Sequence, residues 1–502
     1  MDDKEALSAP APQRFPRETL SAWLFLLLGY FFCCVFPMSK RPLAAVLYLA
    51  ALYAVTFLVL LRGRVRFGLV QKLVLFSAVL ALIAPLLWDN TGDAFLCFLY
   101  VLMAYAYLIY AASGNTLEEG LSALVGADLV RALFAFPFSS FGKLFHSLAL
   151  RDGKGIGKLL LKILLGLLLA ALPTAAALSL LSFDSGFRSI VDGLFSFRRE
   201  DLGIQIARLL FAVPVSMYLY GMFYSSRTKS AARDEAAKLA REHAEQFRFI
   251  PLVTAAAAVI PLLSVYIIFF ISQWKIYTSA FTGVLPAALS YAEYAREGFF
   301  QLCAVSCINF IVLICLSCLV RREKEKLRRA LALLLALFSL VLIATAFSKL
   351  LLYIARYDLT PDRLYAAWFM LLLTVLFTVV ILSQFFPRLK ALPLCLAVTV
   401  ALYLLLALSG PNGRIARYNV ERYLSGETKR IDVELLVSLG DDAIPSLLRL
   451  DEYWAENGNA PDKSAHAELQ LALSSRAAWE TDFWRRTYSS RRADRLLSDA
   501  GY

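Results

Sequence analysis

The side chains best suited to chemistry lie at the mouth of a long apolar run, within the stretch 291–302. Glu293 and Glu297 are four residues apart, so a helix places both carboxylates on one face, with Arg296 beside them. Charged groups at the edge of a membrane are costly, and they usually pair with one another or mark a functional site. The spacing predicts an acidic face that pairs with a basic one, or a polar pocket for a substrate.

Further polar residues are predicted to join this face. Gln301 continues it into the apolar run, and Asn309 lies near mid-span within about a third of the helical wheel. Lys349 and Arg356 end another apolar run, and Asp358 follows them. A third set of polar residues comes after the last apolar run: Arg417, Asn419, Glu421 and Arg422. The runs of Asn309 and Lys349 are separated by few residues, which predicts neighbouring helices.

Each of these residues also has a purely structural interpretation. Lys349 lies one to two turns from the end of its run, so its stem can snorkel to the interface. Arg296 and Glu297 can cap a helix, because carboxylates are favoured at a helix N-terminus. Asn309 is typical of an interhelical hydrogen bond worth about 0.6 kcal/mol. Tyrosines in the same stretches are typical of an aromatic belt at the headgroups.

The elements that carry these residues are predicted to be membrane helices. Hydrophobic residues make up 59% of the chain and charged residues 18%, whereas soluble proteins have about 45–50% and about 25%. Runs of about 20 apolar residues recur, which is the length that crosses a bilayer. The predicted fold class is all-α, a polytopic helical membrane protein. The net charge of +12 comes from Lys and Arg in alternate loops, so it does not indicate nucleic-acid binding.

About eleven runs meet the hydropathy criterion for a transmembrane helix. They are 20–36, 42–61, 69–87, 94–112, 158–182, 203–224, 249–272, 298–320, 329–354, 364–386 and 391–408. Lys and Arg concentrate in the even-numbered loops, for example in the stretches 227–248 and 321–329. The positive-inside rule places these loops and the N-terminus in the cytoplasm, and an odd number of spans places the tail outside. All three polar sets then lie at the outer face.

This topology divides the chain into five predicted parts. Residues 1–19 form a flexible cytoplasmic N-terminus, 20–112 the first four transmembrane helices, and 158–408 seven more with charged loops. Residues 113–157 have the pattern of an amphipathic helix on the cytoplasmic leaflet, where basic side chains favour anionic lipid. Residues 409–502 are polar and lack a strand pattern, which predicts a small helical extracytoplasmic domain.

The sequence lacks the common motifs for metals, cofactors and nucleotides. Cys315 and Cys318 are spaced as a Cys-x-x-Cys pair, but they lie in an apolar run without a nearby histidine, which favours packing. There is no phosphate-binding loop, no zinc-protease motif and no serine-hydrolase motif. We therefore predict no cofactor and no metal site, and enzymatic activity is not favoured.

Three segments of the sequence resemble segments of a known protein family. They are Tyr291–Leu302, which is followed by Asn309, then Arg356–Thr360, and then Ala416–Tyr423. Together they resemble the bacterial polytopic membrane proteins of domain-of-unknown-function family 4173, which is related to family 4153. The resemblance extends from about residue 60 to about residue 455. It implies a bacterial plasma-membrane protein of unassigned activity, and it carries over no catalytic residue.

Three functions stay open at this point. The leading hypothesis is a non-enzymatic protein of the bacterial inner membrane, either transporter-like or part of an envelope complex. The alternative is an envelope sensor, in which an outer tail reads a signal and the charged sixth loop passes it inside. A membrane-embedded transferase is the third, with Glu293, Glu297 and Asp358 as its acids. The predicted partners are the lipid bilayer, anionic lipid at the basic cytoplasmic loops and an envelope protein bound by the tail, but no nucleic acid.

Overall fold

A computed structural model describes residues 18–61, 67–118, 124–149, 199–228, 233–246, 248–282, 299–321, 324–386, 388–457, 463–479 and 482–502, and the single residues 65, 120 and 166. The first helices are α1 (Glu18–Val35), α2 (Pro42–Ala54, continued by a π-helical turn Val55–Leu60), α3 (Leu69–Leu87), α4 (Thr91–Ala112), α5 (Val125–Val130), α6 (Phe136–Ser139), α7 (Lys143–Ala149), α8 (Arg199–Thr228) and α9 (Arg233–Gln246). They are followed by α10 (Leu252–Thr282), α11 (Phe299–Cys318), α12 (Glu325–Arg356), α13 (Pro361–Phe385), α14 (Ala391–Leu408), α15 (Pro411–Leu424), α16 (Val433–Ser438), α17 (Ile444–Asn457), α18 (Lys463–Ala477) and α19 (Tyr488–Asp499). Across these ranges the β-type pairing is limited to an isolated bridge between Ile250 and Val320, so the all-α prediction is confirmed.

Nine helices of the described ranges are long and apolar enough to cross a membrane. They are α1, α3, α4, α8 and α10 to α14, and α2 belongs to a shorter apolar helix. The predicted run 158–182 lies outside the described residues apart from residue 166. The polytopic membrane architecture is confirmed, while the total of about eleven spans stays a prediction.

Large apolar side chains cover the outward faces of these helices. Leu69, Val253 and Ile271 are exposed by 75%, 78% and 72%. Exposing this apolar surface to water would cost about 25 cal/mol of free energy for each Å². A bilayer removes that penalty, because lipid chains are as apolar as these side chains. The exposed faces therefore fit a lipid environment.

The described residues fall into two compact units. The first takes them from Met1–Gln71, Leu102–Thr116 and Asp128–Arg233, and the second from Lys72–Val101, Leu117–Ala127 and Asp234–Tyr502. The boundaries fall within α3, α4, α5 and α9, which each contribute residues to both units.

In the first unit, α1 packs along α8 at a point where only glycine fits. A Cβ atom on Gly29 would lie 2.0 Å from Ser216 Oγ and 2.8 Å from the carbonyl oxygen of Ala212. Small residues of this kind let two membrane helices approach closely. Phe25 of α1 adds a ring contact with Tyr220 of α8, with 6.0 Å between the ring centroids.

Short helices α5 to α7 occupy part of the stretch 113–157, for which an amphipathic helix was predicted. Leu144 and Leu148 are buried, and α7 packs against α1 and α8. Phe134 and Phe138 are exposed by 59% and 58%. The stretch thus buries some apolar side chains against protein and exposes others, and its contact with anionic lipid stays a prediction.

In the second unit, α10 to α13 enclose an apolar core. The amide of Ile250 donates to the carbonyl oxygen of Leu319 (3.1 Å), which joins the start of α10 to the end of α11. Arg329 Nη1 donates to the carbonyl oxygen of Gln384 (3.5 Å), which joins the start of α12 to the end of α13. These contacts place the basic residues that flank α10 to α13 at one end of the bundle.

The tail helices α15 to α19 pack around a core of their own. Trp454 is 1% exposed at its centre, and Leu436, Leu450 and Leu469 are fully buried. Local sequence fixes the helix starts: Pro411 opens α15 at the first helical position, where its missing N–H costs nothing. Thr487 and Ser490 form a capping box at the start of α19.

Candidate functional site

Polar residues of the second unit converge at the end of the bundle where the tail attaches, which we call the tail-side end. The Trp88 indole, just after α3, donates to the carbonyl oxygen of Leu408 at the end of α14 (3.1 Å). Asn90, just before α4, donates to the hydroxyl of Tyr365 in the first turns of α13 (3.0 Å). The tail begins at Pro411, so its first helix starts at the same end.

Asp93 is the central residue of the tail-side end. It lies in the first turn of α4 and is only 6% exposed. Its Oδ2 accepts hydrogen bonds from the Tyr365 hydroxyl (2.9 Å) and from the Asn90 amide (3.0 Å). Asn90 Oδ1 in turn accepts from the amides of Gly92 and Asp93 (both 3.1 Å), as an N-cap does. The cap and the helix dipole both favour a carboxylate at this position.

The surroundings of Asp93 are closed. Tyr403 of α14 donates its hydroxyl to the Asp93 carbonyl oxygen (3.0 Å) and lies 3.9 Å from Cys97 Sγ. A cavity of about 10 Å³ is lined by Trp88, Asn90 and Asp93 together with small residues of α3, α4 and α14. That volume is at the lower limit for one water molecule, about 10–15 Å³. The site therefore places a buried carboxyl beside a cavity for at most one water molecule, with no room for a larger ligand.

A second group of acids joins the tail to this end. Asp442 Oδ1 accepts from the amide of Asp89, in the turn between α3 and α4 (3.2 Å). Asp441 binds Arg476 of α18 through two hydrogen bonds of 2.5 and 2.8 Å, and Arg476 also binds Asp494 of α19 (3.0 Å). Three tail elements and one interhelical turn thus meet at a buried, acid-rich junction.

Burial changes the protonation of this junction. It raises the pKa of Asp442 to about 6, and the nearby carboxyls of Asp89 and Asp441 add to that effect. Burial, and then the charge of Asp441, raise the pKa of Asp89 as well. Gly440 allows the close approach, because it has φ +74° and a Cβ atom there would lie 3.0 Å from Asp89 Oδ2.

Two of the residues predicted from the sequence bind the end of α12 and the loop that follows it. Arg422 of α15 donates to the carbonyl oxygens of Ile354 (3.1 Å) and Ala355 (2.7 Å), which the last turn of a helix leaves without partners. Asn419 bonds both main-chain groups of Leu359, accepting from its amide and donating to its carbonyl oxygen (2.8 Å each). Together with Asp442, these contacts make up what we call the tail joint.

The other predicted residues near the tail joint are less buried. The Asp358 carbonyl oxygen accepts a hydrogen bond from Arg363, and burial raises the pKa of the Asp358 carboxyl. Arg417 and Glu421 form an ion pair along α15 (2.8 Å) with the Arg417 side chain 73% exposed. Arg356, the last residue of α12, is exposed.

Asn309 lies in a separate cluster within the bundle. It is fully buried, accepts from the Tyr266 hydroxyl of α10 (2.6 Å) and donates to Ser339 Oγ of α12 (2.9 Å). This is an interhelical hydrogen-bond triad, and it uses different partners from the tail joint. Lys349 is 7% exposed on α12, and Gln301 is exposed at the start of α11.

Glu293, Arg296 and Glu297 lie outside the described residues, so the predicted acidic face stays a prediction. The sequence interpretation missed Asp93 and Asp442, which the structure brings to the tail-side end. A signal was present for Asp93: the short turn Trp88–Asp93 between two apolar runs contains two acids and an amide. Polar groups in such a position are a functional hypothesis by default.

A family model for a domain of unknown function (DUF4153) matches residues 75–450. The chain belongs to this family. The matched DUF4153 region contains Asp93 and the tail joint and ends within α17, so α18 and α19 follow it. It corresponds to the related family of the sequence resemblance; membership of family 4173 and a bacterial source stay predictions. Neither a curated protein nor a solved structure matches the chain.

Proposed function

We propose that this chain is a non-enzymatic scaffold of a bacterial envelope complex, which holds its tail helices at a fixed position on its membrane helices. The tail joint is the observation that carries this proposal. Arg422 binds main-chain atoms in the last turn of α12, and Asn419 and Asp442 bind main-chain atoms in two different interhelical segments. Main-chain contacts of this kind tolerate little displacement, because hydrogen bonds weaken steeply with angle. A rigid joint suits a domain that presents a partner at a set height above the bilayer.

The proposed location is the bacterial plasma membrane, with the N-terminus in the cytoplasm and the tail outside. The charge distribution of the bundle supports this orientation. Basic residues such as Arg321 and Lys326 flank the end of the bundle opposite the tail, and basic loops stay in the cytoplasm. In a cysteine-free background, Arg417→Cys should react with an impermeant maleimide in intact cells, and Lys326→Cys should react only after lysis. The reverse pattern would place the tail in the cytoplasm and contradict the proposed location.

The proposed partner is an envelope protein bound to the tail surface. Leu471 of α18 supports such a contact, because it is 69% exposed on a helix whose Leu473 is fully buried in the tail core. A photo-crosslinking amino acid at position 471 should give one covalent adduct in native membranes, to be identified by mass spectrometry. The same amino acid at position 473 is the matched control, and it should give none.

The tail joint is tested in the same assay. Asn419→Ala combined with Arg422→Ala should reduce the adduct from position 471, since the tail then loses its fixed position. Arg417→Ala, on the exposed side of α15, should leave the adduct unchanged. An adduct of equal yield in the double variant would contradict a scaffold that depends on the joint. Retained hydrogen-exchange protection of the core amides around Trp454 in the double variant excludes unfolding of the tail core as the cause.

A transporter-like function is the second candidate, and Asp93 is the observation that favours it. A buried carboxyl beside a water-sized cavity at the mouth of a span is typical of proton relays. Purified chain in proteoliposomes should then carry protons under an imposed potential, as measured with an internal pH dye. Asp93→Asn should abolish the flux, and Asp362→Asn, at the exposed start of α13, should not. Flux equal to that of empty vesicles would remove this candidate.

A further inference from the structure

The C-terminal segment 483–495 carries exposed aromatic and arginine side chains together. Phe483, Trp484 and Tyr488 are exposed by 55%, 42% and 52%. The rings of Phe483 and Trp484 touch each other, with 5.3 Å between centroids. Five arginines of the segment are exposed as well: Arg485, Arg486, Arg491, Arg492 and Arg495. We call this set the arginine–aromatic surface, and the tail core does not use it.

Helix α19 shows that this surface is separate from the core. Its buried side is made of Ser489, Ser490, Ala493 and Leu497, which recur at helical spacing. Tyr488, Arg491, Arg492 and Arg495 follow the spacing i, i+3, i+4, i+7, so they share the opposite face. One face of α19 therefore packs in the tail, and the other presents an aromatic ring and three positive charges.

Of the acids near this surface, Asp499 is exposed at the end of the same face, while the other two have other roles. Asp494 binds Arg476 (3.0 Å), and Asp482 accepts from the amide of Trp484 (3.4 Å) at the start of the turn. The exposed face of α19 thus carries a net positive charge, with no carboxylate among its four residues. An anionic partner complements it.

The start of α19 also lies close to the membrane helices. The helix packs against the turn Gly440–Ala443, and Ser489 lies beside the Asp442 carboxyl. Asp442 binds the amide of Asp89, which is two residues beyond the end of α3. Ser489 is on the buried face of α19, so two side chains link α19 to the end of a membrane-spanning helix, and the arginine–aromatic surface lies on the other side of α19.

We propose that the arginine–aromatic surface binds anionic phospholipid headgroups of the bilayer that the chain itself spans. Trp, Tyr and Phe rings favour the headgroup region, where an apolar ring is shielded from water and a polar edge stays hydrated. The guanidinium groups of Arg491, Arg492 and Arg495 match lipid phosphates, which they bind through paired N–H groups. The occupant is a lipid rather than an acidic protein, because α19 is linked through Asp442 to the end of a membrane-spanning helix and the surface combines rings with charge. This lipid-binding proposal goes beyond the scaffold proposal, and it does not depend on which side of the membrane the tail occupies.

The test uses the full chain in two kinds of nanodisc, phosphatidylcholine alone and phosphatidylcholine with one-third phosphatidylglycerol. Hydrogen–deuterium exchange of the amides in 482–490 should slow in the anionic discs. Arg491→Gln, Arg492→Gln and Arg495→Gln together should abolish the slowing, since each arginine near an anionic surface contributes about fivefold to the bound population. In the double variant Phe483→Ser, Trp484→Ser, the amides in 482–490 should exchange faster than those of the wild type in both kinds of disc.

A charge-matched control separates this surface from general charge effects. Lys429→Gln, Arg430→Gln and Arg449→Gln remove three exposed charges elsewhere on the tail, and they should leave the slowing intact. Equal exchange of the wild type in both kinds of disc would overturn the proposal. Slow exchange that persists in detergent without lipid would also overturn it, and would point to a second copy of the chain on this surface.

Discussion

Two polar clusters of the second unit differ in chemistry and in position. Asn309 in mid-bundle joins Tyr266 and Ser339 through neutral hydrogen bonds. The Asp93 carboxyl at the tail-side end accepts hydrogen bonds from the Tyr365 hydroxyl and from the side-chain amide of Asn90, which caps the same helix. Both side chains are almost completely buried. The first cluster is made of amide and hydroxyl groups, and the second is built on a carboxyl.

The difference follows from what each depth of a membrane allows. At mid-bundle an ionised group is expensive, so amide and hydroxyl groups that satisfy one another suffice to fix the packing of α10, α11 and α12. At a helix start, free N–H groups and the helix dipole stabilise a carboxyl. The acids Asp89 and Asp442 continue this chemistry into the tail. Titratable groups therefore collect where the tail meets the membrane helices.

The largest expected effect comes from Asp93→Ala. The Tyr365 hydroxyl and the Asn90 amide would lose a buried acceptor, which should lower the free energy of unfolding by about 3 kcal/mol. Thermal or denaturant unfolding in nanodiscs measures this. Asp93→Asn keeps one acceptor oxygen and should lose less than the alanine variant. Equal stability of Asp93→Ala and the wild type would show that the Asp93 cluster contributes no more than a surface contact.

The tail joint should depend on pH. The folded-state pKa of Asp442 is about 6 against a usual value of 3.8, so the folded state binds more protons between these values. Its contribution to stability is therefore largest below pH 3.8 and is lost as the pH rises through 6, by about 2–3 kcal/mol. Exchange of the amides around the joint against pH measures this. Asp442→Asn should flatten the profile, and an unchanged profile in that variant would contradict the assignment.

Arg422→Ala should have the next largest effect. Two carbonyl oxygens at the end of α12 lose a charged donor, which should cost about 2 kcal/mol. Arg417→Ala, one turn away and exposed, should change stability by at most about 0.5 kcal/mol. Unfolding of the two variants under identical conditions compares them. A similar loss in both would mean that the tail is not held by the α12 carbonyls.

The smallest effect is expected from Asn309→Leu. Hydrogen bonds between membrane helices contribute about 0.6 kcal/mol each on average, so the loss should be about 1 kcal/mol. The leucine side chain fills a similar volume, which limits the cavity. A loss larger than that of Asp93→Ala would reverse the comparison between the two clusters. It would then be the neutral triad that dominates the stability of the bundle.

Much of the fold could be predicted from the sequence, but the site only in part. The apolar runs gave the confirmed membrane architecture, because hydropathy is a property of about 20 consecutive residues. The interpretation of Asn309 as a helix-to-helix contact agrees with its bonds to Tyr266 and Ser339. The sequence predicts Asn419 and Arg422 as members of a polar set, whereas their main-chain partners depend on how the helices pack. Whether that set is a functional site stays a prediction.

The sequence by itself determined which segments are apolar enough for a bilayer and which residues begin their helices. Only the tertiary structure decided that Asp93 meets Tyr365, 272 positions away, and that Asp89 meets Asp442, 353 positions away. The physical reason is range. Hydropathy, proline and capping act within a few residues, whereas these contacts depend on how whole helices pack. A buried carboxyl becomes recognisable only when the residues that exclude water from it are known.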